Sequence, residues 1–145
     1  LARMPIFVWA CLVAAGMIVF GFPPLILAGI LLELERAFGL PFYDPAAGGD
    51  PLLWQHLFWM FGHPEVYIIF LPAAGIVSMI VPTFARRALA GYAWIVAALV
   101  GTAVISFGLW AHHMFATGLP VMSLLLFSAA SMAVAVPSGI QVFAW

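Results

Sequence analysis

The stretch "LLWQHLFWMFGHPEVYIIFLPAAGIVSMIVPTF", residues 52 to 84, decides the fold, because in thirty-three residues its only charged side chain is Glu65. A membrane-spanning helix needs about 20 mostly apolar residues. This run exceeds that length without a break. Yet near its centre, within "GHPEVY", it carries a histidine, a glutamate and a tyrosine.

The rest of the chain repeats the pattern. Of its 145 residues 67% are hydrophobic and 6% are charged, against about a quarter charged in a water-soluble globule. Further apolar segments run over roughly 4 to 32, 91 to 116 and 120 to 145. The expected fold is therefore all-α, a polytopic transmembrane bundle with four spanning helices. The link "FGLPFYDPAAGGDP" after the first segment is rich in Gly, Pro and Asp, which favour turns by positive φ, fixed φ and local side-chain hydrogen bonds. Shorter links, "FARRALAG" and "ATGLP", follow the second and third segments. No internal repeat is visible, and residues 1 to 145 read as a piece of a larger polytopic protein.

The basic residues are Arg3, Arg36, Arg86 and Arg87. Four crossings put Arg3, Arg86 and Arg87 on one side, so the positive-inside rule makes the double-arginine loop cytoplasmic or, in a mitochondrion, matrix-facing. Asp44 and Asp50 then face outward. The net charge of −1 and the lack of a basic cluster exclude a nucleic-acid partner. Cys11 stands alone in a spanning segment and offers neither a disulfide nor a thiolate metal site.

At 100° per residue, His63 and Tyr67 lie about 40° apart on one helix face, while Glu65 points nearly the opposite way. A lone intramembrane histidine is more often a packed residue than a ligand, and tyrosine is a common interface anchor. An intramembrane glutamate is costly enough that a functional role is the default. By itself the motif defines an intramembrane polar site. The third segment adds "LWAHHMF", residues 109 to 115, with His112 and His113 at a depth similar to that of His63. Three imidazoles suit copper or zinc. Consecutive residues on a regular helix diverge by 100°, so joint ligation by His112 and His113 requires a local distortion or favourable rotamers, and the nearby Gly118 and Pro120, which end the helix, favour irregularity.

The strings "YDPAAGGDPLLWQHLFWMFGHPEVYIIFLP", "GYAWIVAALVGTAVISFGLWAHHMF" and "SMAVAVPSGIQVFAW" together resemble subunit I, the catalytic subunit, of haem-copper terminal oxidases of the cytochrome c oxidase type, over its fifth to eighth transmembrane helices. The resemblance implies a copper held by His63, His112 and His113, a Tyr67 phenol cross-linked to the His63 ring, and Glu65 as the acid at a branch in proton delivery. It also implies two haems whose axial ligands lie outside this chain, other oxidase subunits including an electron-entry subunit, cytochrome c as donor, dioxygen as substrate, and a bacterial plasma or mitochondrial inner membrane. His56 is left over, with an interfacial role expected.

In that family a second proton channel commonly uses a lysine in a P-T-G-x-K pattern, where this chain has "PSGIQ" with Gln141. Ser138 keeps a hydroxyl there, and Ser78 matches another hydroxyl of that channel. The segment after "HHMF", here "ATGLPVMSLLLF", also departs from the more polar one usual in the family. The implied function is reduction of dioxygen to water coupled to proton translocation. A quinol oxidase of the same superfamily is the nearest alternative, and "DPAAGGDP" leans towards the cytochrome-dependent group. A proton-coupled transporter segment, with Glu65 and the histidines as a metal-free relay, is the rival from another class.

Overall fold

A computed structural model describes residues 4–145. Among the described residues every regular element is helical: α1 (Ile6–Phe38), a 3-10 turn (Pro45–Ala47), α2 (Pro51–Ala85), α3 (Tyr92–Ser106), a 3-10 segment (Trp110–Thr117), α4 (Val121–Ala133) and α5 (Ala135–Ala144). They make four stretches long and apolar enough to cross a membrane, with α4 and α5 together forming the fourth. Arg3, one of the residues behind the expected orientation, lies outside the described residues.

One end and two interiors differ from the sequence expectation, each for a local reason. The first helix was expected to end near residue 32, but it continues to Phe38. Glu33, Glu35 and Arg36 are poor membrane residues yet good helix formers, so the apolar run ends before the helix does. Gly39 then stops it at φ 67°, giving its N–H to the Glu35 carbonyl in the left-handed conformation that glycine tolerates. The third helix, expected over 91 to 116, is α-helical only to Ser106 and then tightens into the 3-10 segment. The fourth, expected over 120 to 145, divides at Val134. Pro137 has no N–H to offer the Ala133 carbonyl four residues back, and its ring crowds that turn.

Inward-facing side chains are small where helices approach closely. A Cβ on Gly75 of α2 would lie 2.7 Å from the Ala10 Cβ and 3.1 Å from the Phe7 Cα of α1. Helices in lipid associate through such close backbone packing, because burial of apolar surface gives no drive there. Ile6, Ala10, Met17, Leu71, Ile95, Leu99 and Ala103 make one core of α1, α2 and α3. Trp9 Nε1 donates to the Tyr92 hydroxyl at 2.9 Å, and that hydroxyl donates to the Met4 carbonyl at 2.7 Å, tying α1 to the start of α3. By contrast α4 buries no residue, and Phe84, Trp94 and Phe143 stand out from the bundle.

The loop between α1 and α2 is fixed by its carboxylates. Glu35 accepts from the Asp44 N–H at 2.8 Å and from the Tyr43 N–H at 3.1 Å, while Asp44 and Asp50 accept from Ala46 and Leu52 N–H groups, each at 2.9 Å. With Pro51 following it, Asp50 gives α2 the N-terminal cap its sequence calls for. The buried Tyr43 ring sends its hydroxyl to the Ala28 carbonyl at 3.0 Å. Burial first, and the Glu35 carboxylate second, push this phenol above its ordinary pKa.

Candidate metal centre

Position 63 is set by α2, where Phe61, Gly62, His63 and Pro64 are all buried. His63 itself is 5% exposed. Pro64, inside the helix, gives no N–H to the Met60 carbonyl one turn back, so one backbone hydrogen bond is missing at the turn that carries the histidine.

His112 and His113 reach it because α3 does not continue. Ser106 turns its hydroxyl onto the Ala103 carbonyl at 2.7 Å, and the Gly108 and Leu109 N–H groups bond three residues back, to Ile105 and Ser106. Leu109, Ala111 and Met114 are buried and anchor the tighter turn that follows. Met114 has φ −116° and ψ 16°, a break in the helical path immediately after His113, and Gly118 ends the segment at φ 85°. Consecutive residues of a 3-10 segment diverge by about 120°, so it is the side-chain rotamers of His112 and His113 that bring their ring centroids to 4.3 Å.

The three imidazoles converge. Each offers one ring nitrogen, and these atoms all lie within 4.8 Å of one another. The His63 ring centroid is 4.4 Å from that of His112 and 5.3 Å from that of His113. His63 Nδ1 sits 3.2 Å from His113 Nε2, while His63 Nε2 is buried without a hydrogen-bond partner among the described residues. Neutral imidazole nitrogens at this spacing, one of them sealed and unsatisfied, fit a borderline metal ion such as copper or zinc. Tyr67 lies one turn on, its ring 4.8 Å from the His63 ring, as the helical spacing predicts.

Two neighbours of the centre carry no sequence signal. Ser131 of α4 lies with its Oγ 3.0 Å from His112 Nδ1 and donates to the Phe127 carbonyl at 2.6 Å. With its one proton committed there, the hydroxyl accepts from His112 Nδ1–H, which leaves the other ring nitrogen bare for a ligand role. Trp59, one turn before His63, stacks its indole on the His113 ring at 3.9 Å and 5°. A serine in an apolar helix and a tryptophan in an apolar run look ordinary until the chain is folded. His56 takes part in the same scaffold, accepting from Trp110 Nε1 at 3.2 Å.

The remaining candidates stand apart. Glu65 is exposed on the surface of α2, so the interior position expected for it is not supplied by these four stretches. Its helical phase turns it away from the histidines. Ser78 is buried and donates to the Ala74 carbonyl at 2.8 Å while accepting from Trp145 Nε1 at 2.8 Å. Ser138 donates to the Val134 carbonyl at 3.0 Å. Gln141 is 1% exposed and has no hydrogen-bond partner for its amide among the described residues.

Fold and site together define a polytopic helical membrane protein with a three-histidine cluster, buried at His63 and open at His113, beside a tyrosine. The family model for cytochrome c and quinol oxidase polypeptide I matches residues 1–145, and the chain belongs to that family. It is 48% identical over 143 residues to cytochrome c oxidase subunit 1 of Bacillus subtilis, covering 99% of this chain and 23% of that protein. Cytochrome c oxidase polypeptide 1 of Halobacterium salinarum is 49% identical, covering 98% of this chain and 24% of that protein. Quinol oxidase subunit 1 of Bacillus spizizenii is 46% identical, covering 100% of this chain and 22% of that protein. The chain thus spans about a quarter of the length of these relatives.

Proposed function

We propose that this chain is the oxygen-site portion of the catalytic subunit of a terminal oxidase, which reduces dioxygen to water with electrons from cytochrome c and couples the reaction to proton translocation. The observation that carries the reading is the convergence of His63, His112 and His113, with the Tyr67 ring 4.8 Å from that of His63. The three histidines would hold copper, which supplies a redox-active centre for the reaction of dioxygen.

The chain's own residues account for positioning and for protons. Ser131 fixes the tautomer and tilt of His112, and Trp59 fixes the plane of His113. Tyr67 places a phenol, able to give up a proton from its oxygen, on the face that His63 occupies. Glu65, on the opposite face, carries a carboxylate able to receive and release protons; its delivery route and immediate neighbours belong to parts of the protein outside these four stretches. Ser78 and Ser138 are the proposed hydroxyls of a second route, with Gln141 where the family commonly has lysine. The clustered histidines face one another and His56 already accepts from Trp110, so the axial ligands of the two implied haems would come from elsewhere in the protein.

Other oxidase subunits, including an electron-entry subunit, and a bacterial plasma or mitochondrial inner membrane complete this reading. A quinol donor is the second reading, favoured by the 46% identity to a quinol oxidase subunit. Copper and haem analysis of the purified full-length protein, together with oxygen uptake on reduced cytochrome c and on quinol, tests all of it. The expected result is bound copper and haem with uptake on cytochrome c. A protein without either cofactor that moves protons would instead be a transporter.

A further inference from the structure

Of the chain's four histidines, His56 stands outside the cluster, and the sequence suggests for it only an interfacial role. In the folded chain it is half-buried, and its Nδ1 accepts from Trp110 Nε1 at 3.2 Å, the two rings meeting edge to face. An indole N–H is a donor and nothing else, and a donor left without an acceptor in apolar surroundings costs free energy. With Nδ1 accepting, the proton of the neutral His56 ring sits on Nε2.

Trp110 opens the eight-residue 3-10 segment that carries His112 and His113. Such runs are rarely longer than three or four residues, because their backbone hydrogen bonds are poorly aligned, so this one needs side chains to hold it. Leu109, Ala111 and Met114 are buried beneath it, and Trp110 is gripped from two sides, by His56 of α2 and by Phe127 of α4, whose ring centroid lies 5.0 Å away. At 100° per residue, Trp59 and His63 lie within about 60° of His56 around α2. This one face meets the segment three times: His56 at Trp110, Trp59 at the His113 ring and His63 at His113 Nε2. Trp59 and Ser131 hold the imidazoles themselves, whereas His56 holds the backbone that carries them. Where that backbone stands on α2 decides whether the rotamers of His112 and His113 can reach His63.

We infer that His56 is a positioning residue of the metal centre: by accepting from Trp110, it fixes the place of the 3-10 segment on α2 and so brings His112 and His113 within reach of His63. The acceptor nitrogen is what matters. An apolar side chain of similar size would fill the space but leave the indole N–H bare, and the indole would turn towards another acceptor and draw the segment with it. The inference rests on the proposed copper reading for the identity of the metal, while the placement of the histidines rests on the contacts among α2, α4 and the segment.

The test compares the native full-length protein with His56→Leu and with His56→Asn, which places an amide oxygen where Nδ1 stands. Copper loss to a chelator should be about tenfold faster in His56→Leu, the lower end for partners around a metal's ligands, and close to native in His56→Asn. Density maps of the same proteins in lipid nanodiscs should show the Trp110 indole turned away from α2 in His56→Leu, with residues 110–113 displaced and the His112 and His113 rings farther from His63. Native copper retention in His56→Leu, equal loss in both variants, or unmoved residues 110–113 would each overturn the inference. If His56→Leu does not insert, Trp110→Phe removes the same bond from its other side and is read in the same way. A native protein without copper would end the copper reading, and the maps would still decide the role of His56.

Discussion

The N-terminal and C-terminal halves of α2 each carry buried polar groups, and they use them in opposite ways. In the N-terminal half His63 meets His112, His113 and Tyr67, and a sealed ring nitrogen is left without a partner among the described residues. In the C-terminal half Ser78 is fully engaged, giving its proton to Ala74 and accepting from Trp145. The difference lies in the partner helices. The 3-10 segment after α3 carries two adjacent histidines whose rotamers converge on the His63 ring, while α5 stays helical at Gln141 and delivers a single amide.

Breaking the N-terminal half should have the largest effects. Glu65→Gln removes a titratable group on the far face of the same turn and leaves the ring cluster alone. Turnover of the complete enzyme should fall at least about a hundredfold, the usual weight of a positioned proton-transfer group, with copper content unchanged. Steady-state oxygen uptake beside metal analysis checks it, and undiminished uptake would show that another group delivers the protons.

A smaller effect is expected one layer out. Ser131→Ala frees His112 to rotate and to change tautomer, and loss of such a partner typically costs about 10–100-fold in metal affinity. Titration with a copper chelator should show the loss, and Ser131→Thr, which keeps the hydroxyl, should restore it. Equal chelator resistance in all three proteins would mean that packing alone orients the ring.

The region around the C-terminal half of α2 and the facing α5 offers the mildest change and the sharpest contrast. Gln141→Lys puts a protonatable group where the present amide cannot exchange a proton. Reduction of the oxygen site, followed by stopped flow, should become severalfold faster. Rapid reduction in the native enzyme with no gain from the lysine would show that Ser78, Ser138 and water, or another route, already suffice.

Much of this contrast is legible in the sequence. The four apolar runs give the crossings, because low charge over about 20 residues has few other meanings, and 40° between His63 and Tyr67 gives their shared face. Convergence of His112 and His113 rests on rotamers that no sequence pattern encodes, and the 3-10 segment that carries the two residues is only suggested by the glycine and proline after it. Ser131 and Trp59 were silent because their roles are contacts between distant turns. Glu65 was legible as an unusual residue, but its exposure in this chain was not, since apolar faces that meet lipid and those that meet other helices have the same composition.

The central claim is that one copper is held by three imidazoles that converge where the 3-10 segment after α3 meets α2. Copper content of the purified full-length protein, native and His112→Ala, tests it most directly. One copper per protein at this site in the native form, and its loss in a variant that still inserts and folds, is the expected result. Copper retained at full occupancy in His112→Ala would contradict it.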